Sequence, residues 1–121
     1  IKGIQHIGIP TRKYAETLDF YKSLGFEVVN QEEMPGMKVA FLRIHNVMLE
    51  VYESEETAEK TGSIDHLSLS VETVDRLYQE MLPEYKVLSS EVEQLPYWKN
   101  GIRFFKVEGP NKEVIEFCEI L

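Results

Sequence analysis

Two histidines recur in the same local pattern. IQHIGI (residues 4–9) and IDHLSL (residues 64–69) both place His third in Ile, any residue, His, aliphatic, small, aliphatic, and the imidazoles are 60 residues apart (66 − 6 = 60). Only three of the 121 residues are His, so one falls at a given matched position with odds of roughly 1 in 40 (3/121). Glu50 in VMLEVYE and Glu116 in VIEFCEI share a second pattern, apolar-apolar-Glu-apolar, 66 residues apart (116 − 50 = 66). Two carboxylates brought together would repel, and an uncompensated buried charge costs several kcal/mol. A divalent cation removes that cost and also uses both imidazoles. Two neutral nitrogens and two carboxylate oxygens suit a borderline ion such as Ni, Co, Zn, Mn or Fe, at ligand distances of about 2.0 to 2.2 Å.

The elements that must position these groups read as a repeat. Residues 3–9 have strand character, Thr11 is placed to cap a helix carrying Tyr14, Leu18 and Tyr21 at helical spacing, and Gly25 stops it. FEVVNQEEM (26–34), MKVAFLRIH (37–45) and VMLEVYE (47–53) read as three strands, separated by Pro35-Gly36 and His45-Asn46. SEETAEKTG (54–62) is polar and aperiodic, a connector. The order then recurs. SIDHLSLSV (63–71) reads as a strand, and Val74, Leu77, Tyr78 and Met81 as a helix ending before Pro83. KVLSSEVEQL, GIRFFKVEG and EVIEFCEI read as three more strands. A unit of mixed elements occurring twice suggests duplication within one domain.

Side chains alternate across a strand, so Leu67, Leu69 and Val71 should pack on a helix while His66, Ser68 and Ser70 face away. By the same parity Met48, Glu50 and Tyr52 share one face, as do Val114, Glu116 and Cys118. Polar residues on the face away from helices ordinarily meet water. Here that face also carries Ile4, Gly8, Met48, Tyr52, Val114 and Cys118, the mixed apolar and polar character of a ligand cleft.

Composition narrows the partners. Thirteen basic against twenty-one acidic residues give a net charge of −8, which disfavours nucleic acid and anionic membranes as partners. No 18-residue apolar run or export leader is present, so no membrane segment is expected, and the lone Cys118 fits a reducing, cytoplasmic location. Phosphate cradles, serine nucleophile elbows and CxxC pairs are absent.

Over essentially its full length the chain resembles the vicinal oxygen chelate superfamily, the group of glyoxalase I, bleomycin-resistance proteins and extradiol dioxygenases. The likeness is carried by IQHIGIP, DFYKSLGFEV, VMLEV, IDHLSLSV and GPNKEVIEF. It implies an α+β fold in which two tandem βαβββ modules form a curled mixed sheet around a metal cleft. The single domain would span 1–121, with modules at 1–53 and 63–121 and the connector between them. The resemblance further implies one divalent ion per site on His6, Glu50, His66 and Glu116, a small-molecule substrate and a homodimer. It implies a glyoxalase I-like (lactoylglutathione lyase-like) lyase or isomerase that shifts a proton α to a carbonyl through an enediolate held on the metal. Glu116 and Glu50 are its candidate catalytic carboxylates, and Glu116 is favoured as the moving base by analogy.

Departures keep other activities open. Glutathione-dependent members usually carry an Arg soon after the first His, where this chain has Pro10 and then Arg12, so the likeness is stronger for the metal than for glutathione. MKVAFLRIHNVMLEVYE is also similar to methylmalonyl-CoA epimerases, in which Gln can replace the ligand corresponding to Glu50. The resemblance is equally compatible with a metal-free drug-binding protein of the bleomycin-resistance type, and with an Fe(II) extradiol dioxygenase, which uses two His and one carboxylate. Lys112 stands where the family's last turn commonly has a positive-φ Gly, and Asn111 is expected to take that conformation. Met48, Tyr52, Trp98 and Arg103 are the candidate substrate-binding residues, the last two within an aromatic and basic cluster with Tyr97 and Lys99. His45 is expected in solvent and Cys118 as an inert thiol.

Overall fold

Leu18 and Tyr21, three residues apart, turn one side of α1 (Tyr14–Ser23) onto a sheet in a computed structural model that describes residues 1–121. The chain divides inside the connector into two compact units, Ile1–Ala58 and Glu59–Leu121. The first unit contains β1 (Ile7–Thr11), α1, β2 (Glu27–Met34), β3 (Met37–Ile44) and β4 (Val47–Glu53). Its sheet order is β1-β4-β3-β2, with β1 parallel to β4 and the other pairs antiparallel. Its core holds Leu18, Tyr21, Phe26, Ala40, Leu42, Leu49 and Val51, with the Tyr21 and Phe26 rings edge-on at 5.5 Å. Leu49 and Val51 are fully buried while Met48, Glu50 and Tyr52 are not, which is the alternation read from VMLEVYE.

The second unit contains β5 (Leu67–Ser70), α2 (Val74–Met81), β6 (Lys86–Val87), β7 (Glu93–Leu95), β8 (Ile102–Glu108) and β9 (Val114–Ile120). The order is β5-β9-β8-β6, with β5 parallel to β9 and β7 also paired to β8. Its core is aromatic: Phe105 stacks on Phe117 at 5.3 Å and meets Tyr78 edge-on at 5.2 Å. The fold is thus α+β, with two small open sheets, each with a helix packed on it.

Four local expectations differ from the structure. The strands expected at 3–9 and 63–71 begin later, at Ile7 and Leu67, where their pairing with Leu49 of β4 and Ile115 of β9 starts. Both His6 and His66 therefore sit immediately before a strand. The strand expected over 86–95 is split into β6 and β7. At the break, the Ser89 hydroxyl accepts the Lys106 N–H at 3.0 Å and the Ser89 carbonyl accepts the Tyr78 hydroxyl, so side chains replace ladder bonds. Lys112, with φ 62°, takes the left-handed position expected of Asn111. The Asn111 N–H instead donates to Glu113 Oε1 at 2.8 Å, and that carboxylate lies where a Cβ on Gly109 would be, so a side chain there would have to displace it.

The helix starts also differ. Thr11 belongs to β1, and Lys13 is the residue at the α1 cap position. The Thr11 hydroxyl nevertheless accepts the Lys13 N–H at 2.8 Å and is 3.0 Å from the Thr17 hydroxyl, with both threonines fully buried. The α2 N-terminus is capped from outside, its Val74 N–H donating to Glu119 Oε2 of β9 at 3.0 Å. Replacing Thr11 by Val keeps the volume but removes the Lys13 acceptor and the Thr17 partner. The expected loss is about 1 to 3 kcal/mol of stability, read as a lower urea midpoint; an unchanged midpoint would show that the hydroxyl pair contributes nothing.

Candidate metal centre

The strand registers carry each His to its Glu. Gly8 of β1 pairs with Glu50, and His6 precedes Gly8 by two residues; Ser68 of β5 pairs with Glu116, and His66 precedes Ser68 by two. A two-residue step returns to the same strand face, so each imidazole lies diagonally over its carboxylate. His6 Nε2 is 3.5 Å from Glu50 Oε2, and His66 Nε2 is 3.6 Å from Glu116 Oε2. The two units build the same pair from the same sequence pattern.

The preceding residue anchors each ring. His66 Nδ1 lies 2.9 Å from Asp65 Oδ2, and His6 Nδ1 is hydrogen-bonded to Gln5 Oε1. A carboxylate or amide oxygen can only accept, so Nδ1 carries the proton in both. In the neutral ring Nε2 then presents a lone pair, turned toward a carboxylate oxygen that also has only lone pairs. At 3.5 and 3.6 Å these contacts are longer than hydrogen bonds. Two electron-pair donors of this kind side by side are the start of a chelate, and a carbonyl or carboxylate on the other ring nitrogen is how metal-binding imidazoles are oriented. The donor chemistry of each pair fits a divalent ion.

The carboxylates differ in their surroundings. Glu116 is 9% exposed, accepts the Ser68 hydroxyl at 2.8 Å on Oε1, and has Lys106 Nζ 3.9 Å from Oε2. Cys118 Sγ is 3.2 Å from the same Ser68 oxygen, so the thiol borders the site. Glu50 lies opposite Phe41 and Gly8, and the Phe41 ring meets His6 edge-on at 5.8 Å. Met48 and Tyr52, both half-buried, flank Glu50 on its own face.

The remaining candidates fall elsewhere. Arg103 lies on the β8 face bearing Phe105 and Val107, with both terminal nitrogens on the Asp75 carboxylate of α2, away from the face of Lys106 and Glu116. Trp98, 69% exposed with φ 63°, lines an open cavity of about 400 Å³ with Gln94, Leu95, Pro96, Lys99, Asn100 and Gly101, none of them a ligand candidate. His45 is exposed in the β3–β4 turn with φ 46°. No three His, Cys, Asp or Glu side chains gather into one metal-holding group; the donors stand as two pairs. Gln5, Asp65, Ser68 and Lys106 were not among the expected site residues. The first two directly precede the histidines, and Ser68 shares the His66 face; Lys106 needed the β8–β9 register, in which it lies opposite Glu116.

Known proteins share this arrangement of elements. Residues 3–117 match the family model of the Glyoxalase/Bleomycin resistance protein/Dioxygenase superfamily. The chain is 29% identical to the uncharacterized protein YwbC of Bacillus subtilis (strain 168), over 98% of each chain. Its fold is similar to the crystal structure of a glyoxalase family protein from Enterococcus faecalis, with a TM-score of 0.80 at 21% identity over 98% of both chains. It is equally similar to SMU.1112c, with a TM-score of 0.80 at 23% identity over 98% of this chain and 99% of that one.

The Asp65 carboxyl is held below its ordinary value of 3.8, first by the hydrogen bond from His66; burial opposes the shift, and the charges of His66 and Lys106 add to it. A lowered carboxyl pKa contributes stability above the unfolded value, and that contribution is lost as pH falls through the folded one. Followed by NMR, Asp65 should titrate below 3.8 in the wild type and return toward 3.8 in His66→Ala. The same midpoint in both proteins would show that the imidazole does not hold this carboxylate.

Proposed function

Because the chain belongs to the Glyoxalase/Bleomycin resistance protein/Dioxygenase superfamily, we propose that it is a metal-dependent lyase or isomerase of the glyoxalase I type, acting on a small molecule with an acidic C–H beside a carbonyl. The observation that carries this reading is the pair repeated in the two units, an anchored imidazole with its free nitrogen 3.5 or 3.6 Å from a carboxylate oxygen. His6, Glu50, His66 and Glu116 are the donors proposed for a divalent ion of Ni, Co, Zn, Mn or Fe. When bound, such an ion supplies Lewis acidity that stabilises negative charge developing on a carbonyl oxygen.

The chain's own groups do the rest. A Glu50 or Glu116 oxygen takes the proton from the α carbon and returns it to the adjacent carbon, so the reaction consumes no outside reagent. Gln5 and Asp65 keep the imidazoles from rotating away. Met48 and Tyr52 offer apolar surface beside Glu50 that would orient a substrate and exclude water. Family members are often dimers, and a homodimer is part of this reading.

One observation favours a second reading, metal-free small-molecule binding: no three potential ligands gather within reach of one another. Metal analysis separates the two. After equilibration with Ni, Co, Mn or Zn and removal of excess, the wild type should retain bound metal. His6→Ala and His66→Ala should each bind at least about tenfold more weakly. A wild type that retains no ion, or variants that bind as tightly as it does, would contradict the enzyme reading.

A further inference from the structure

We propose that the hairpin joining β7 and β8 is a binding site for a neutral, polyhydroxylated ring of the pyranoside class, with Trp98 as its platform. The site holds none of the candidate metal donors and does not rest on the metal-dependent reading. Lys106 pairs with Glu116, and Ile102, where the hairpin closes, is four residues earlier on β8, about 13 Å along the strand. The cavity has a volume of about 400 Å³, the size of a small-molecule site, and is lined by residues 94–96 and 98–101. Its base is fixed by the sheet: Leu95 pairs with Ile102, and the Leu121 N–H donates to the Gly101 carbonyl at 3.0 Å. A Cβ on Gly101 would lie 3.2 Å from the Leu95 carbonyl oxygen and 3.6 Å from Gln94 Nε2, which places that amide against the backbone at the cavity floor.

Trp98 is held at φ 63°, a left-handed conformation that is costly for a bulky aromatic, yet the residue is 69% exposed. Core packing therefore does not compensate the strain, and the indole stands at the cavity as a face on which a ring can lie. The lining chemistry selects that ring. Gln94 and Asn100 each bring a primary amide, with donors and an acceptor, and the Lys99 ammonium adds donors. None of these three side chains is tied into a hydrogen bond or ion pair, unlike Lys86, held by Glu108 at 2.8 Å, and Arg103, held by Asp75. A sugar hydroxyl both donates and accepts, so neighbouring hydroxyls match the amides while the C–H face of the ring covers the indole. A flat aromatic anion would stack on Trp98 and reach Lys99, but it would leave the amides unmatched and approach a chain of net charge −8. A neutral ring meets no such repulsion.

Trp98 is the one tryptophan in the chain, so its fluorescence reads this site alone. The full-length protein is titrated with methyl β-glucopyranoside, methyl β-galactopyranoside and cellobiose, and with benzoate as the aromatic anion. At least one sugar should give a saturable shift of the emission, and Gln94→Ala and Asn100→Ala should each weaken its binding at least about fivefold. Ligand-detected NMR extends the series to variants that lack the fluorophore: Trp98→Tyr should retain binding and Trp98→Asn should lose it. Asparagine tolerates the left-handed conformation, so Trp98→Asn should keep or raise the thermal midpoint, which separates lost binding from lost folding. No saturable response to any sugar, a response to benzoate alone, or an emission shift that follows protein concentration, as in self-association, would overturn the assignment. So would a Trp98→Asn protein that binds sugar like the wild type or melts below it.

Discussion

A neutral imidazole whose Nδ1 proton is committed to an acceptor has its other nitrogen available only as a lone pair, and both candidate metal-binding pairs depend on that constraint. Gln5 and Asp65 impose the commitment on His6 and His66. Because each Nε2 then faces a carboxylate oxygen, neither partner can satisfy the other, and both are left able to bind a cation. A histidine free to choose its tautomer would instead donate to the glutamate, making a closed hydrogen bond with no affinity for a metal.

The fold delivers this arrangement through parallel strand pairing. β1 against β4 and β5 against β9 set the carboxylate opposite the second residue after the histidine, Gly8 or Ser68. Each ring lies just outside the ladder, so its orientation is decided by its own side-chain bonds. The buried faces of the same strands, Leu49 and Val51 in one unit and Ile115 and Phe117 in the other, hold the register in place. A one-residue slip would turn Glu50 or Glu116 into the core. Core packing and donor placement are thus one requirement, met twice.

Much of this was legible in the sequence because strand parity is strict. Alternation in VMLEVYE puts Glu50 on the face of Met48 and Tyr52, and the repeated His pattern aligns the two modules. Features that depend on long-range partners were not legible. The break between β6 and β7 depends on Tyr78 and Lys106 claiming Ser89. Arg103 read as an available cation because Asp75 is 28 residues away in sequence. Lys112 adopts a conformation usually left to glycine or asparagine because the Glu113 carboxylate organises the turn from its other end.

The most direct measurement of the central claim is the imidazole tautomer of the metal-free protein, read from long-range nitrogen–proton NMR correlations in mildly alkaline solution. His6 and His66 should both carry their proton on Nδ1, with Nε2 showing the shift of an unprotonated nitrogen. Either ring protonated on Nε2 would mean that it donates to its glutamate, and the paired donors would then have no open electron pair to offer a metal.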